Sequence, residues 1–149
     1  MNPTVEKFGY PASLIREYDH WVVLLRPAQV TLGSLVLAAK SGASAYSALP
    51  PEAFTEQGRV VADIEAALQS FCAFEKINYL MLMMVDREVH FHVFPRYSAA
   101  RTVDGIDFPD HGWPGPPDLK SAIALPEPVN VHARDELAAA WVAGETDAN

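Results

Sequence analysis

Two histidines lie one residue apart in the stretch DREVHFHVFPRY, residues 86–97, which is otherwise largely apolar. If this stretch forms a β-strand, successive side chains point to opposite faces of the sheet. Glu88, His90 and His92 then form one polar row of about 13 Å, and the residues between them face a core. Imidazoles serve in proton transfer, nucleophilic attack and metal binding near neutral pH. The row is therefore the candidate site, with His90, His92 and Glu88 as candidate catalytic residues.

The pattern alone leaves other interpretations of this row open. It fits the polar, solvent-facing side of an antiparallel strand, where side chains need no special chemistry. It also fits a metal site, because His-x-His on a strand beside a carboxylate is an arrangement that zinc or iron occupies. The third ligand would then come from one of four residues: Glu88, His20, His111 or Asp110.

The elements around the row predict an α+β domain with about five antiparallel strands and one long helix. SLIREY and WVVLLRP flank Asp19-His20 as a hairpin with a two-residue turn, and GSLVLAAK (33–40) forms a third strand. A long amphipathic helix is expected from about Glu52 to about Phe74. Its apolar positions at helical spacing are Phe54, Val61, Ile64, Leu68, Phe71 and Cys72.

The fourth strand is INYLMLMMVD, and its nearly unbroken hydrophobicity suggests a covered, central position. Only Asp86 and Arg87 separate Val85 from Glu88, where the fifth, histidine-bearing strand begins. Two residues are a hairpin loop, so the fourth and fifth strands are expected to pair antiparallel through it.

Residues 99–149 form a C-terminal extension to the domain of residues 1–98. Six of the twelve prolines fall between Pro109 and Pro128, which indicates an irregular arm that wraps the domain or a partner subunit. A short helix from about Ala133 to Val142 would dock through Leu137 and Trp141. Trp113, between a glycine and a proline, could plug the surface or stack on a base.

Composition excludes several classes of function. The formal net charge is −8 and no Lys/Arg cluster is present, so a nucleic acid is not an expected partner. The longest apolar run is far too short to span a membrane, and the N-terminal stretch does not resemble a signal peptide. Cys72 is the single cysteine, and a buried, inert thiol is expected there. The expected location is the cytoplasm.

The stretch EVHFHVFPR resembles the motif of the histidine triad (HIT) superfamily, His-φ-His-φ-His-φ-φ, where φ is hydrophobic. In the family Pro-Arg commonly follows, as Pro95-Arg96 does here. Upstream, HWVVLLRPAQVTLGSLVLAAK resembles the family's hairpin strand, proline-containing turn and following strand. The resemblance covers residues 8–97.

This resemblance implies a half-barrel α+β fold that dimerises and binds a nucleotide, here a purine nucleotide or a related phosphate compound. It further implies that His90 attacks the α-phosphorus of a nucleoside phosphoramidate or dinucleoside polyphosphate to form a nucleotidyl-histidine, which water hydrolyses. His92 would contact the phosphate and assist the leaving group. No cofactor is required for such chemistry, although a divalent metal is possible. The alternatives are a catalytically weak or inactive HIT-fold nucleotide- or phosphate-binding protein and a His-x-His metal-binding domain.

The chain departs from the family pattern at two places. Glu88 replaces the first histidine of the triad. Its carboxylate could accept the Nδ1 proton of His90, or it could repel an anionic ligand by about 4 kcal/mol at a distance of ~4 Å. Asp86-Arg87 also replaces the family's Gly-rich loop, which leaves Arg87 as the substitute phosphate contact. Ser34 and Trp113 are weaker candidates for substrate binding.

Overall fold

A five-stranded antiparallel sheet forms the centre of the molecule, in the order β1-β2-β4-β6-β5. The computed structural model describes the backbone of residues 1–148 and the side chains of residues 1–141. The strands of this sheet are β1 (Leu14–Glu17), β2 (Trp21–Leu25), β4 (Leu35–Ala39), β5 (Lys76–Leu80) and β6 (His90–Arg96). Two short ladders pair β3 (Ala28–Gln29) with β9 (Ile123–Ala124) and β7 (Arg101–Val103) with β8 (Ile106–Phe108). The helices are α1 (Pro3–Lys7), α2 (Pro51–Cys72) and α3 (Glu127–Ala148).

One face of the sheet is covered by α2 and α3. Its side chains include Trp21, Leu35, Leu37 and Val93, and they form a single core cluster with the buried stripes of the two helices. The predicted hairpin around Asp19-His20 is present, and the backbone N–H of Tyr18 donates to the carbonyl oxygen of Trp21 at 2.8 Å. The α+β class and the five antiparallel strands are therefore confirmed.

Helix α2 matches the expected helix within two residues at each end, since it begins at Pro51 and ends at Cys72. Proline suits its first turn, where the missing N–H has no intrahelical acceptor. One expected member of the apolar stripe, Phe54, does not face the core. It is exposed and contacts Tyr46, with the ring centroids 5.3 Å apart. The thiol of Cys72 is buried, and this burial raises its pKa to about 12.

The opposite face of the sheet is covered by the N-terminal segment. Val5 of α1 packs on the β2 and β4 side chains, and Phe8, Tyr10 and Leu14 extend the cover. Asn2 caps α1, because its Oδ1 accepts the backbone N–H of Val5 at 3.0 Å. Both faces of the central strands β2, β4 and β6 are consequently buried.

The C-terminal extension is more regular than the sequence suggests. Asp104 and Gly105 both have positive φ and close the β7–β8 hairpin, a turn that Asp-Gly favours. The predicted short helix over 133–142 is wrong in length, since α3 begins at Glu127, six residues earlier. Proline follows at the next position, where it fits the first turn of a helix. Leu137 and Trp141 dock in the main core as expected.

A buried ion pair fastens the arm to the sheet. Asp110 accepts hydrogen bonds from Arg96 Nε at 2.7 Å and from Arg96 Nη2 at 3.1 Å. Arg96 Nη2 also donates to the carbonyl oxygen of Gly115, and its Nη1 donates to Asn78 Oδ1 on β5. Every part of the guanidinium thus has an acceptor, as a buried charge requires.

Among the described residues, no helix combines the length and hydrophobicity needed to cross a bilayer.

We expect Leu137→Ala to lower the free energy of unfolding by about 2–5 kcal/mol, because it leaves a cavity where α3 meets the main core. Urea unfolding monitored by tryptophan fluorescence measures this loss. The matched control is Val131→Ala on the exposed side of the same helix, with an expected change within about 0.5 kcal/mol. Equal effects of the two substitutions would contradict the docking of α3.

Candidate functional site

Strand β6 places both imidazoles on the face of the sheet that the N-terminal segment covers. His90 lies opposite Ala38 and His92 opposite Val36 in the antiparallel ladder with β4. The two rings meet edge to face, with their centroids 5.2 Å apart. Phe8 lies against both, at 5.8 Å from the His90 ring and 5.5 Å from the His92 ring. The pair is therefore shielded by an aromatic side chain and not displayed on an open, solvent-facing strand.

His90 is held through its Nδ1 atom. It is 2 % exposed, and Nδ1 lies 2.8 Å from the backbone carbonyl oxygen of Glu88. A carbonyl oxygen only accepts hydrogen bonds, so Nδ1 carries a proton, and in the neutral ring the lone pair is on Nε2. The neutral imidazole in this tautomer presents Nε2 as a nucleophile.

His92 has the opposite tautomer. Arg26 Nε lies 3.4 Å from His92 Nδ1, and a guanidinium only donates hydrogen bonds, so Nδ1 is the acceptor and Nε2 bears the proton. Burial first, and then the nearby positive charge of Arg26 and the adjacent His90, lower the pKa of His92 to about 4; Asp86 acts in the opposite direction. The two histidines thus form a complementary pair, in which one Nε2 can attack and the other can donate.

The side chain of Glu88 bonds the N-terminal helix, α1. Its Oε2 accepts a hydrogen bond from the buried hydroxyl of Thr4 at 2.9 Å. A second link joins Lys7 Nζ to Asp86 Oδ1 at 2.8 Å. The expectation that the Glu88 carboxylate accepts the Nδ1 proton of His90 is therefore wrong, because the backbone carbonyl of the same residue does so. Orientation of His90 does not depend on which side chain stands at position 88.

The segment between β5 and β6 is a nine-residue loop, residues 81–89, and the expected two-residue hairpin is wrong. The expected central position of the fourth strand is also wrong, because β5 is an edge strand of the sheet. Pairing with β6 ends at Leu80, which lies opposite His92, so the start of β6 is paired only with β4. Met83 has a φ of 51°, a left-handed conformation that is uncommon without glycine. The apolar run resembles a strand in sequence, yet Met84 and Val85 are 86 % and 80 % exposed.

This loop forms one wall of a cleft of about 140 Å³ over the two imidazoles. The lining residues are Leu82, Met83, Met84, Val85, Asp86, His90 and His92. Apolar side chains thus stand where a Gly-rich loop would offer backbone N–H groups to a phosphate. Arg87 is exposed on the same loop, beside the cleft-lining Asp86.

The other two substrate-binding candidates lie away from this cleft. Ser34 is fully buried, and its hydroxyl donates to the carbonyl oxygen of Thr31 and accepts the Thr31 N–H, which closes a tight turn. Trp113 lines a separate cleft of about 500 Å³ with Lys76, Asn78 and Arg96. It is half-buried there, beside the Arg96–Asp110 ion pair.

The residues suggested as a third metal ligand do not converge on the histidine pair. Glu88 bonds Thr4 and Asp110 bonds Arg96, while His20 lies at the β1–β2 turn and His111 in the arm. Among the side chains described, those of residues 1–141, no group of three or more His, Cys, Asp or Glu is placed to hold a metal ion.

Three residues that the sequence did not single out complete the site: Arg26, Phe8 and Thr4. Arg26 and His92 are 66 positions apart, and only the folded sheet brings them together. A local signal for Arg26 exists, since a charged residue ends the apolar strand WVVLL just before Pro27.

Comparison with known proteins identifies the fold. No protein-family model and no curated protein sequence matches the chain. Solved structures do, and among them is a histidine triad protein of Sinorhizobium meliloti 1021, with a TM-score of 0.71 over 92% of this chain and 93% of that one at 21% identity. The chain has the histidine triad fold.

Two further neighbours of this fold extend the comparison. A hypothetical histidine triad nucleotide-binding protein of Sulfolobus tokodaii has a TM-score of 0.69 and 13% identity, covering 94% of this chain and 90% of that one. A zinc-bound histidine triad family protein of Mycobacterium smegmatis has a TM-score of 0.63 and 19% identity, covering 97% and 94%. The superposed part thus exceeds residues 8–97 and includes the C-terminal extension.

We expect Thr4→Val and Glu88→Ala each to lower the free energy of unfolding by about 1–2 kcal/mol, because each breaks the partly buried hydrogen bond between them. The double variant should lose less than the sum of the two. Urea unfolding measures the cycle, and Glu6→Ala on the exposed side of α1 is the control. In Glu88→Ala, the ¹⁵N chemical shifts of His90 should still report a proton on Nδ1. Loss of that tautomer would contradict orientation of His90 by the backbone carbonyl.

Proposed function

We propose that the protein binds a purine nucleotide through its phosphate at the His90–His92 cleft and transfers the nucleotidyl group to His90 before hydrolysis. The observation that carries this proposal is the pair of opposite tautomers. His90 Nδ1 is engaged by a backbone carbonyl, which leaves its Nε2 lone pair for attack on the α-phosphorus. His92 Nε2–H is left to donate to a phosphoryl oxygen.

The surroundings of the pair support the chemistry. Burial, together with Arg26, lowers the pKa of His92 to about 4, so its ring is neutral near pH 7 and its Nε2–H remains a hydrogen-bond donor. Arg26 is the cation in contact with His92, and Arg87 on the adjacent loop is the further candidate for a phosphate contact. The histidine triad fold, and the nucleotide-binding name of its Sulfolobus tokodaii neighbour, favour a nucleotide as the ligand.

A second candidate function is nucleotide or phosphate binding with little or no turnover. The apolar loop over the histidines favours it, because Leu82, Met83 and Met84 offer no hydrogen-bond donors from their side chains to a transferring phosphoryl group. The metal-binding alternative would require a third ligand beside His90 and His92. The described side chains around the two histidines do not supply one.

We expect turnover of adenosine 5′-phosphoramidate or of a diadenosine polyphosphate by the native chain, with and without divalent metal, and a loss of about 10³-fold or more in kcat for His90→Ala. His92→Asn should reduce kcat by about 10²–10³-fold, since it removes one donor to the reacting phosphate. Product release by chromatography and intact-mass detection of a nucleotidylated protein measure both.

A matched control for these variants is His111→Ala, which removes an imidazole from the arm. Equal turnover by His90→Ala and the native chain would contradict the proposed mechanism. Nucleotide bound by the native chain without turnover of either substrate would instead establish the binding function.

We further propose that two copies pair through the free edge of β5. This strand ends the sheet, and beside it the loop exposes Leu82, Met84 and Val85, an apolar surface that a monomer would leave in water. The family resemblance, which implies a dimer, supports the association of two copies.

We expect sedimentation equilibrium to give twice the monomer mass, and Met84→Lys to weaken the association at least about tenfold, because it buries a charge in the interface. The control is Val131→Lys, at an exposed apolar position of α3. A native chain that sediments as a monomer would contradict the pairing.

A further inference from the structure

Arg26 is in direct contact with His92, the second of the two histidines. Its Nε lies 3.4 Å from His92 Nδ1, and its Nη1 donates to the carbonyl oxygen of Ala28. The guanidinium also lies over the Phe94 ring, 5.8 Å from the centroid. Phe94 in turn stacks on the His92 ring at an interplanar angle of 6°. Backbone, cation–π and stacking contacts thus fix the guanidinium and the imidazole relative to each other.

The charge in this arrangement opposes protonation of His92. A proton on Nδ1 would face the Arg26 N–H directly, so the imidazolium would lose the hydrogen bond and meet a like charge. His90 adds to this opposition, and Asp86, which is itself paired with Lys7, is the group that opposes it. The carboxylate of Glu88 is directed to Thr4.

We propose that Arg26 is a positioning residue that keeps His92 unprotonated with its Nε2–H toward the cleft, and that the site is thereby built for leaving groups that depart as stable anions. This inference rests on the proposed function and narrows its substrate class to phosphoric anhydrides, such as dinucleoside polyphosphates, over phosphoramidates. His92 then acts as a neutral hydrogen-bond donor, as neutral imidazoles do in other enzymes.

The bond changes explain this preference. The Nε2 lone pair of His90 attacks the α-phosphorus, the P–O bond to the leaving group breaks, and its electron pair stays on the departing phosphate oxygen, which is a stable anion. Water then attacks the same phosphorus, the electron pair of the P–N bond returns to His90 Nε2, and the water proton passes to solvent. Cleavage of a phosphoramidate differs, because an amine leaves only after its nitrogen has gained a proton.

The first test needs no activity. Two-bond ¹H–¹⁵N NMR spectra of the imidazoles, recorded from pH 4 to 8, should show native His92 as the Nε2–H tautomer that protonates only near pH 4. In Arg26→Gln its pKa should rise part of the way toward 6.5, the ordinary value for histidine, because burial, the largest cause of the low pKa, remains. Arg59→Gln removes the same charge from the exposed side of α2, across the sheet, and should leave His92 unchanged.

Arg26→Lys keeps the positive charge and should give His92 a pKa between those of the native chain and of Arg26→Gln. This second variant tests the role of Arg26 even if Arg26→Gln does not fold. A native His92 that titrates near 6.5, or an Arg26→Gln variant with the native titration curve, would overturn the role of Arg26.

The second test compares kcat/KM for a diadenosine polyphosphate and for adenosine 5′-phosphoramidate at pH 7. The native chain should prefer the anhydride. Arg26→Gln should shift the ratio toward the phosphoramidate by about tenfold for each unit by which the pKa of His92 rises, because the protonated fraction of His92 grows by that factor. An unchanged ratio, or a native preference for the phosphoramidate, would overturn the substrate class.

The two tests separate this inference from the function on which it rests. No turnover of either substrate would contradict the proposed function and, with it, the preference among leaving groups. The NMR titration would still decide whether Arg26 sets the protonation of His92.

Discussion

Strand β6 lies between two other strands and has cover on both faces, and this constraint governs the candidate site. Alternation along the strand sends Val93 into the main core and sends His90 and His92 under the N-terminal segment. Imidazoles in such a position have little water to satisfy their ring nitrogens, so each Nδ1 must find a partner in the protein. One finds an acceptor and the other a donor, and these opposite partners give the two rings opposite tautomers. Burial of the strand thus accounts for the opposite orientations of the two imidazoles toward their hydrogen-bond partners.

The same geometry explains why a glutamate at position 88 is compatible with the orientation of His90. The group that orients His90 is the carbonyl oxygen of residue 88, which any residue supplies. Its side chain is free for another task, and here it bonds Thr4 and holds α1 against the sheet. That helix leads to Phe8, whose ring lies against both imidazoles. The Glu88 side chain thus helps to hold the N-terminal cover over the two imidazoles.

Sequence patterns were sufficient to predict the elements that form between residues close together in the chain. Alternation predicted the shared face of His90 and His92, and the Asp19-His20 turn and α2 follow from hairpin and helix signals. Asp104-Gly105 is typical of a hairpin turn, and it closes the β7–β8 hairpin. This hairpin was not predicted from the sequence, because the many prolines that follow indicate an irregular arm. The loop of residues 81–89 was misassigned, since hydrophobicity does not distinguish a strand from an apolar loop at the edge of a sheet.

Tertiary contacts set the remainder of the site. The contact between Arg26 and His92 joins residues 66 positions apart and depends on the register of three strands. Ser34 sits one residue before β4, where a donor to a ligand was expected, but the turn from Thr31 takes up its hydroxyl. Neither outcome is encoded in spacing along the chain.

Charge and size together restrict what the cleft can hold. The net charge of −8 repels an anion at long range. Close to the imidazoles, the charge of Asp86 is paired with Lys7, and Arg26 places a positive charge in contact with His92. At ~4 Å and an effective dielectric near 20, one such charge attracts an anion by about 4 kcal/mol, as much as a bare carboxylate would repel it. The cleft measures about 140 Å³, below the roughly 300 Å³ at which small-molecule pockets begin. Under the proposed function, a phosphoryl group is the part of a nucleotide suited to the space over His90 and His92, and the nucleoside would lie outside it.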